Sequence, residues 1–585
     1  MKKFIIVLIA ICAWQILFSQ SIQLDGLTRS GFKGIDRLGD DGYYIRYVET
    51  LREGKKFKTQ VRVYILDNNL VKTNDFVVPI GQEEKIEDMA FNNDRFMFIS
   101  SSSTERTRQF IIVDSKGTEI ASKKFEKVKM RLLYTPASVI AFEESDFLVI
   151  NYIKEKKVGY NISRYNDNLE EVFSADQIPE KRRLYPVDYY VGDKLYILEF
   201  ITPDFSDYFE YHVAGFDLST GEEAFKVRLK DPSSEASGFA TFLKQGSNGP
   251  ITGGMYFNGN RTKKANSDGF FATVIDKDGS ANFSFTDWKE VKSELKDENM
   301  AAFWGGKTKT FMQDVVVYDD GAFTLIGENY RRGDADLAGD RNKSVLANAG
   351  KAYKLYQNEG GEDYNQAVTV SSFALMDFDA KGKYIGIRRL PKPTSVTVIK
   401  ATDDENDKPY IGQAKGLNLA NILNNQGYFP YRFTVSNGPD KFIVSVVKYE
   451  SMSKELLYFT KLNTDVVDTA SVEFTNSYLK VVQEMQNKVV GKFGALGKLA
   501  KKADNLTGES KKNEFFLRGS HSPYDYRAKA LNTRVIKSNQ EGKIITYDFV
   551  PEEPEENKKK KGFMGNLLEA MKGNLVIQSI AIPDK

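Results

Sequence analysis

The sequence predicts an all-β protein, and three observations carry that prediction. Segments of alternating apolar and polar residues recur along residues 35–474, as half-buried strands require. They are punctuated by turns built on Asp, Asn or Gly, which bond backbone amides or supply positive φ. Aromatic residues make up 12% of the chain, with 30 Tyr and 40 Phe, side chains suited to covering strand faces.

The first twenty residues stand apart from this pattern. Lys2 and Lys3 precede an apolar run over residues 4–18 that is too short for a spanning helix, and Ser19, Gln20 and Ser21 form a small-residue cleavage zone. Residues 1–20 therefore read as a secretory signal peptide, with a mature N-terminus near Ser21. Cys12 invites comparison with an acylated lipoprotein cysteine, but Ile11 stands where such boxes need a small residue. As Cys12 is the single cysteine, a chain cleaved near Ser21 would have no disulfide, thiolate metal site or cysteine nucleophile. Export to the periplasm or the extracellular space is the expected destination. No later segment has the apolar length of a membrane helix.

Two kinds of hairpin alternate after the leader. The first has an apolar strand ending in Asp or Asn with a short polar turn, as in residues 63–70, 110–117, 162–169, 214–221, 272–279 and 374–382. The second turns at Asn92-Asn93-Asp94, Ser145-Asp146, Gly192-Asp193, Asp319-Asp320-Gly321 and Asn437-Gly438-Pro439-Asp440. Together they make a unit of four strands that recurs about every 50 residues, as Asp67, Asp114, Asn166, Asp217 and Asp276 mark. About seven such units lie between Ile35 and Phe474.

A period of this length with four strands per unit resembles the β-propeller superfamily, in a divergent form without a Trp-Asp dipeptide or a kelch double glycine. One four-stranded sheet cannot bury both faces, whereas radial stacking buries each against its neighbours. The resemblance implies a propeller of about seven four-stranded blades over residues 21–474, followed by a C-terminal region, 475–585. A pair of β-sandwiches is the structural alternative. Fold alone implies no activity.

Three stretches break the rhythm. Residues 330–366 are polar and Gly-rich with a short helical pattern at 345–356, and residues 391–429 hold an acidic turn and a small apolar helix at 417–423. From Asn476 the spacing becomes helical, placing Tyr478, Val482, Met485, Val489, Phe493 and Leu496 on one face against a lysine-rich remainder. A second amphipathic piece covers 563–571. A hairpin at 534–549 and a final strand at 574–582 complete the chain, the strand being placed to close the ring by completing its first or last blade. The apolar helix face reads as packing within the protein; docking on an anionic membrane or on a partner helix is the other reading.

Chemistry is sparse. The net charge of +2 lacks the basic excess of a nucleic-acid surface. His212 and His521 lie far apart, and neither has a neighbouring constellation that would make it a base or ligand. The Ser-x-x-Lys matches at Ser293 and Ser451 have no partner motif, and the Asp334–Asp340 stretch resembles a calcium loop but has Ala338 and Val345 at ligand positions. Trp288 and Trp304 flank a short helix opening with a capping box, Asp287 and Glu290, and are expected to pack. No catalytic residue, cofactor site or metal site is assigned. The expected function is an exported, non-catalytic binding module of the cell envelope whose partner is an envelope protein, a peptide or a glycan. The alternatives are a carboxylate-based glycan hydrolase or lyase, which would need neither histidine nor cysteine, and a membrane-surface factor acting through the basic C-terminal helix.

Overall fold

The computed structural model describes residues 20–582 except 29–30, 54–55, 83, 129–136, 144, 155–157, 180–181, 203–208, 260–266, 295–307, 335–365, 400–419, 421–423, 425–428, 449–453, 463–468, 476–534 and 552–571. Among the described residues there are 32 strands and one helix of more than a single residue. Strand β1 (Ser21–Thr28) is followed by β2–β5 (Phe32–Arg37, Gly42–Glu53, Lys56–Asp67, Lys72–Gln82) and β6–β9 (Lys85–Asn92, Arg95–Ser102, Thr107–Asp114, Glu119–Phe125). Next come β10–β13 (Ser138–Phe142, Asp146–Lys154, Val158–Tyr165, Glu171–Gln177) and β14–β17 (Arg183–Val191, Leu195–Thr202, Glu210–Phe216, Glu223–Arg228). Strands β18–β21 (Ala236–Gln245, Pro250–Asn258, Gly269–Ile275, Ala281–Asp287) lead into helix α1 (Trp288–Glu294). The chain continues through β22–β25 (Lys309–Val317, Phe323–Asp334, Gln366–Phe378, Tyr384–Ile399) and β26–β29 (Tyr431–Asn437, Asp440–Lys448, Lys454–Lys461, Thr469–Thr475). It ends with β30 (Val535–Lys537), β31 (Lys543–Pro551) and β32 (Lys572–Ala581).

Each group from β2–β5 to β26–β29 is a four-stranded antiparallel meander, and a single parallel pairing, Val158 opposite Arg183, joins β10–β13 to β14–β17. The eighth sheet has the order β1-β32-β31-β30, so its outer strand comes from the N-terminal end and the other three from the C-terminal end.

The buried clusters show how these sheets are arranged. Leu24, Tyr43, Ile45 and Leu575 pack the eighth sheet on β2–β5. Val63, Phe76, Phe96 and Ile111 join β2–β5 to β6–β9. Equivalent clusters join every successive pair up to β22–β25 with β26–β29. Val444, Phe459, Ile544 and Ile582 then return from β26–β29 to the eighth sheet. Each sheet has two neighbours and the series closes on itself, which is a β-propeller and not a pair of sandwiches. The first strands of neighbouring blades touch, as β14 does β18 and β18 does β22, and so surround the axis. The fourth strands β9, β13 and β17 alternate exposed with half-buried residues and form the rim.

The seven units read between Ile35 and Phe474 correspond to seven blades, but the ring has eight. The count of about seven falls short because the eighth blade is assembled from both ends of the sequence and shows no local repeat. For the same reason the hairpin and final strand of the 475–585 region belong to the ring, forming an eighth blade together with β1. Pro391 lies within β25, opposite Ser372, so the insertion read from 391 begins as strand. Of the helix expected at 417–423, Ala420 alone is described, and it is helical and fully buried. The helical pattern at 345–356, the face from Tyr478 to Leu496 and the 563–571 piece lie outside the described residues.

The first hairpin class owes its turns to the expected acids. Oδ1 of Asp67 accepts the amides of Asn69 and Val71 at 2.8 Å each, Asp114 those of Lys116 and Thr118, and Asp379 those of Lys381 and Lys383. Asn166 does the same for Asn168 and Glu170 through its amide oxygen.

The two ends of the ring differ. Turns between first and second strands, and between third and fourth, emerge on one end and are at most seven residues long. The other end carries the second-to-third and blade-to-blade connections. The strand ends that flank every connection longer than seven residues are there: those around 126–137, 259–268, 288–308, 335–365, 400–430, 476–534 and 552–571.

Candidate functional site

Six first strands, β2, β6, β14, β18, β22 and β26, carry a register shift against their second strand, with one extra residue at a corresponding place. Such bulges re-aim the following side chain. In three blades that side chain is an aspartate, and it reaches the next blade. Asp88 Oδ2 accepts the Val139 amide at 2.9 Å, and Asp188 Oδ2 accepts the Leu243 amide at 2.7 Å. Asp314 Oδ2 accepts the Tyr431 hydroxyl at 2.5 Å. The bulged Glu87 takes the Ala137 amide at 2.9 Å and pairs with Arg108 at 3.0 Å. These acids staple blades together near the axis.

The densest grouping lies at the axial end nearest the short turns. Lys244 of β18 sits 3.3 Å from Asp314 of β22, with Asp188 of β14 also attracting it. The charge of Asp314, with help from Asp188, outweighs burial and holds the Lys244 ammonium above the ordinary lysine range. Burial alone would raise the Asp314 carboxyl, but Lys244, the Tyr431 hydroxyl and Lys537 outweigh it and hold it low. Lys537 of β30 lies over the Phe433 ring, 5.9 Å from its centroid. Surrounding protein desolvates its ammonium and, with Lys244, Arg37 and Lys441, holds it below the ordinary range against the pull of Asp314. Arg37 ends β2 and contacts Asp40 at 3.3 Å; Lys441 is the second residue of β27 and lies over the Tyr318 ring.

Two further groups are built on buried carboxylates. Glu328 of β23 pairs with Lys392 of β25, and accepts Gln313 Nε2 at 3.0 Å and the Tyr431 amide. Desolvation lowers the Lys392 ammonium against the opposing charge of Glu328. Glu199 of β15 accepts the Tyr160 hydroxyl at 2.5 Å and faces Lys226 at 3.2 Å. Burial raises its carboxyl despite Lys226 and Tyr160. Both groups tie neighbouring strands or blades; the first is closed to solvent, whereas Lys226 of the second is exposed.

His212 is half-buried beside Glu210, Nε2 to Oε1 2.7 Å, and Glu210 also meets Arg182 and Arg228. Trp288 packs on Phe270 at 5.1 Å and donates to Ser267 Oγ at 3.0 Å, so it is a packing residue. Asp287 caps α1 through the Lys289 amide. His521, Trp304, Ser451 and residues 335–340 lie outside the described residues, as do Tyr478, Val482, Met485, Val489, Phe493 and Leu496. Among the described residues no cluster of three or more metal-ligating side chains occurs, and no helix is long and apolar enough to cross a membrane. The bulge acids were missed in the sequence because Asp88, Asp188 and Asp314 stand in unlike local contexts, Glu-Asp-Met, Val-Asp-Tyr and Gln-Asp-Val. Their common signal is distance from the following turn, legible only once the blades are aligned.

The circular packing and the axial acids define a β-propeller whose blades are tied by charged side chains. The chain itself belongs to the family of unknown function DUF6770, which matches residues 2–463. No curated protein matches the sequence. Among solved structures it is similar to the β-propeller domain of the trilobed protease from Pyrococcus furiosus, at 9% identity and a TM-score of 0.27, covering 65% of this chain and 99% of that one. It is also similar to the acylaminoacyl peptidase of Pyrococcus horikoshii (9%, TM-score 0.28, 74% and 58%). A variant of the Synechocystis apocarotenoid oxygenase is a further neighbour (7%, TM-score 0.29, 78% and 89%). The chain spans about half the length of the peptidases it resembles.

Proposed function

We propose that this protein is an exported, non-catalytic propeller that acts as a binding module in the cell envelope. The observation that carries the reading is that the strands flanking every connection longer than seven residues end on one side of the ring. In repeat architectures insertions gather on the face that meets a ligand, because the rigid repeats hold their ends in place while their sequences vary. The connections also gather in one sector, since all but 126–137 leave from the run of blades between β18–β21 and the closing blade. The partner is an envelope protein, a peptide or a glycan contacting that sector. The axial carboxylates support a structural role, because Asp88, Asp188 and Asp314 each hold a group of the next blade.

A photo-crosslinking amino acid placed at Glu235, on the long-connection end, and at Lys116, on the short-turn end, tests this in cells. Discrete adducts from position 235 and none from position 116 are expected. Adducts from position 116 alone, or none from either, would overturn the reading. Release of reducing sugar or unsaturated product from envelope glycans by the purified protein would favour the hydrolase or lyase alternative.

A further inference from the structure

We propose that blade β22–β25 carries a carbohydrate site at the short-turn end, a pocket that takes one neutral pyranose ring between Tyr318, Thr324, Asp377, Ile385 and Arg388. These side chains line a cavity of about 360 Å³, within the range of about 300–1,000 Å³ usual for small-molecule sites. The cavity exists because a wedge present in other blades is missing. Five outer strands, β5, β9, β13, β17 and β25, hold as their second residue an extra one with no partner on the third strand: Thr73, Ile120, Val172, Ala224 and Ile385. In four of them the next residue is covered by the following blade. Asn74 donates to the Ser115 carbonyl at 2.7 Å, and Ala121 packs on the cluster that holds Leu169. Phe173 comes so near that a Cβ added at Gly221 would stand 2.5 Å from its ring, and Phe225 meets Gly279 in the same manner. In β25 the residue is Gly386, opposite Asp377, where an added Cβ would meet nothing within 4 Å among the described residues.

The mouth and the wall of the cavity fix the class of ring. Ile385 at the mouth is 66% exposed, more than any other large apolar side chain among the described residues. The wall is polar. Arg388 holds Asp377 through Nε at 2.7 Å and Nη2 at 3.1 Å, and donates from Nη1 to the Leu462 carbonyl of the next blade at 2.9 Å. Thr324 Oγ1 donates to Asp377 Oδ1 at 2.6 Å, so it accepts from the Tyr318 hydroxyl, 3.1 Å away. The Asp377 and Arg388 side chains stay 24% and 31% exposed, within reach of a solute. A sugar ring answers both surfaces, with a C–H face for Ile385 and hydroxyls, each donor and acceptor, for the carboxylate, the guanidinium and the two hydroxyls. A phenyl ring would fill the volume but strip water from the polar wall without replacing its hydrogen bonds, which costs free energy. A charged ligand gains little, because Asp377 and Arg388 neutralise each other. The pocket stands beside the β22–β23 and β24–β25 turns, at the opposite end from the long connections, and does not rest on the function proposed above.

The test is titration of the full chain with the methyl pyranosides of glucose, galactose, mannose and N-acetylglucosamine, followed by saturation-transfer NMR. Saturable binding of at least one of them is expected. Gly386→Phe restores the wedge of β13 and β17 and should weaken that binding at least tenfold without lowering the melting temperature. Ile385→Ser alters an exposed side chain and should weaken it severalfold, which keeps the site testable should Gly386→Phe fail to fold. Val172→Ser, at the same bulge position of β13, should leave binding unchanged. Absence of saturable binding by all four sugars would overturn the proposal. So would unchanged binding in folded Gly386→Phe, or equal losses in Ile385→Ser and Val172→Ser. N-acetylphenylalaninamide that binds more tightly than every sugar, and is lost in Gly386→Phe, would assign the pocket to an aromatic side chain of a peptide and overturn the carbohydrate assignment.

Discussion

Lys392 and Glu328 are both wholly shielded from solvent, and that makes each dependent on the other. Removing one partner of such a pair strands a buried charge at a cost of about 3–5 kcal/mol. Lys392→Met should therefore lower stability by that order in a urea titration. Adding Glu328→Gln should recover at least half of the loss, since the neutral amide oxygen can still receive the Tyr431 amide. No recovery in the double variant would mean that the loss comes from packing on Phe373, over whose ring the Lys392 ammonium lies at 4.7 Å. Asp217 offers a cleaner titration. Hydrogen bonds from the Ser219 hydroxyl and amide and from the Thr220 amide bring its carboxyl down to about 2. Its folded pKa thus lies below the unfolded value of about 3.9, so its stabilisation is present above pH 4 and is lost as the pH falls towards 2. Asn166 holds the same turn position in another blade without a charge. Asp217→Asn should accordingly leave the melting temperature at pH 7 nearly unchanged and flatten its fall between pH 4 and pH 2. An unaltered acid limb would show that the turn carboxyl does not contribute.

Turns between third and fourth strands do more than reverse the chain. Gly279, at φ +91°, lies so close to β17 of the preceding blade that an added Cβ would stand 2.7 Å from the Cβ of Phe225. Gly117 meets Phe76 of β5 in the same way. Glycine is needed twice over there, for its positive φ and for the close approach. Gly279→Ala should cost about 1–3 kcal/mol through strain and displacement of Phe225, readable as a lower urea midpoint. Leu169 takes the equivalent position at φ 58° and is buried, so that blade accepts the strain and fills the gap with a side chain. The aspartates of these turns were legible in the sequence because their hydrogen bonds are local. What the later glycine touches was not, since Phe225 and Phe76 lie on another blade. The strands themselves were legible for the same local reason, through alternation and turn chemistry. β25 reaches Ile399 through Pro391 and Pro393, where the insertion was read to begin, because it is the outer strand of its blade, where proline is tolerated.

The ring as a whole is held by its ends. Seven blades are contiguous and could be counted, but the eighth joins Ser21–Thr28 to strands more than five hundred residues away, and no periodicity announces such a pairing. The contact of Lys244 with Asp314 escaped notice for the same reason, since the two lie on different blades. The opposition of short turns and long connections likewise follows from the strand order and not from any motif. All of this depends on β1 pairing with β32, in the register that sets Gln23 opposite Val576. Directly opposed antiparallel residues have Cα atoms about 4.5–5.5 Å apart, within the span of a disulfide. The most direct measurement is oxidation of a Gln23→Cys/Val576→Cys variant in a chain lacking Cys12. The closed ring predicts rapid cross-linking in the native state, none in urea, and a raised melting temperature, because the bond closes a very long loop. Free thiols that persist in the folded protein under mild oxidant, or cross-linking that is equally fast in urea, would contradict the closure of the propeller by its two termini.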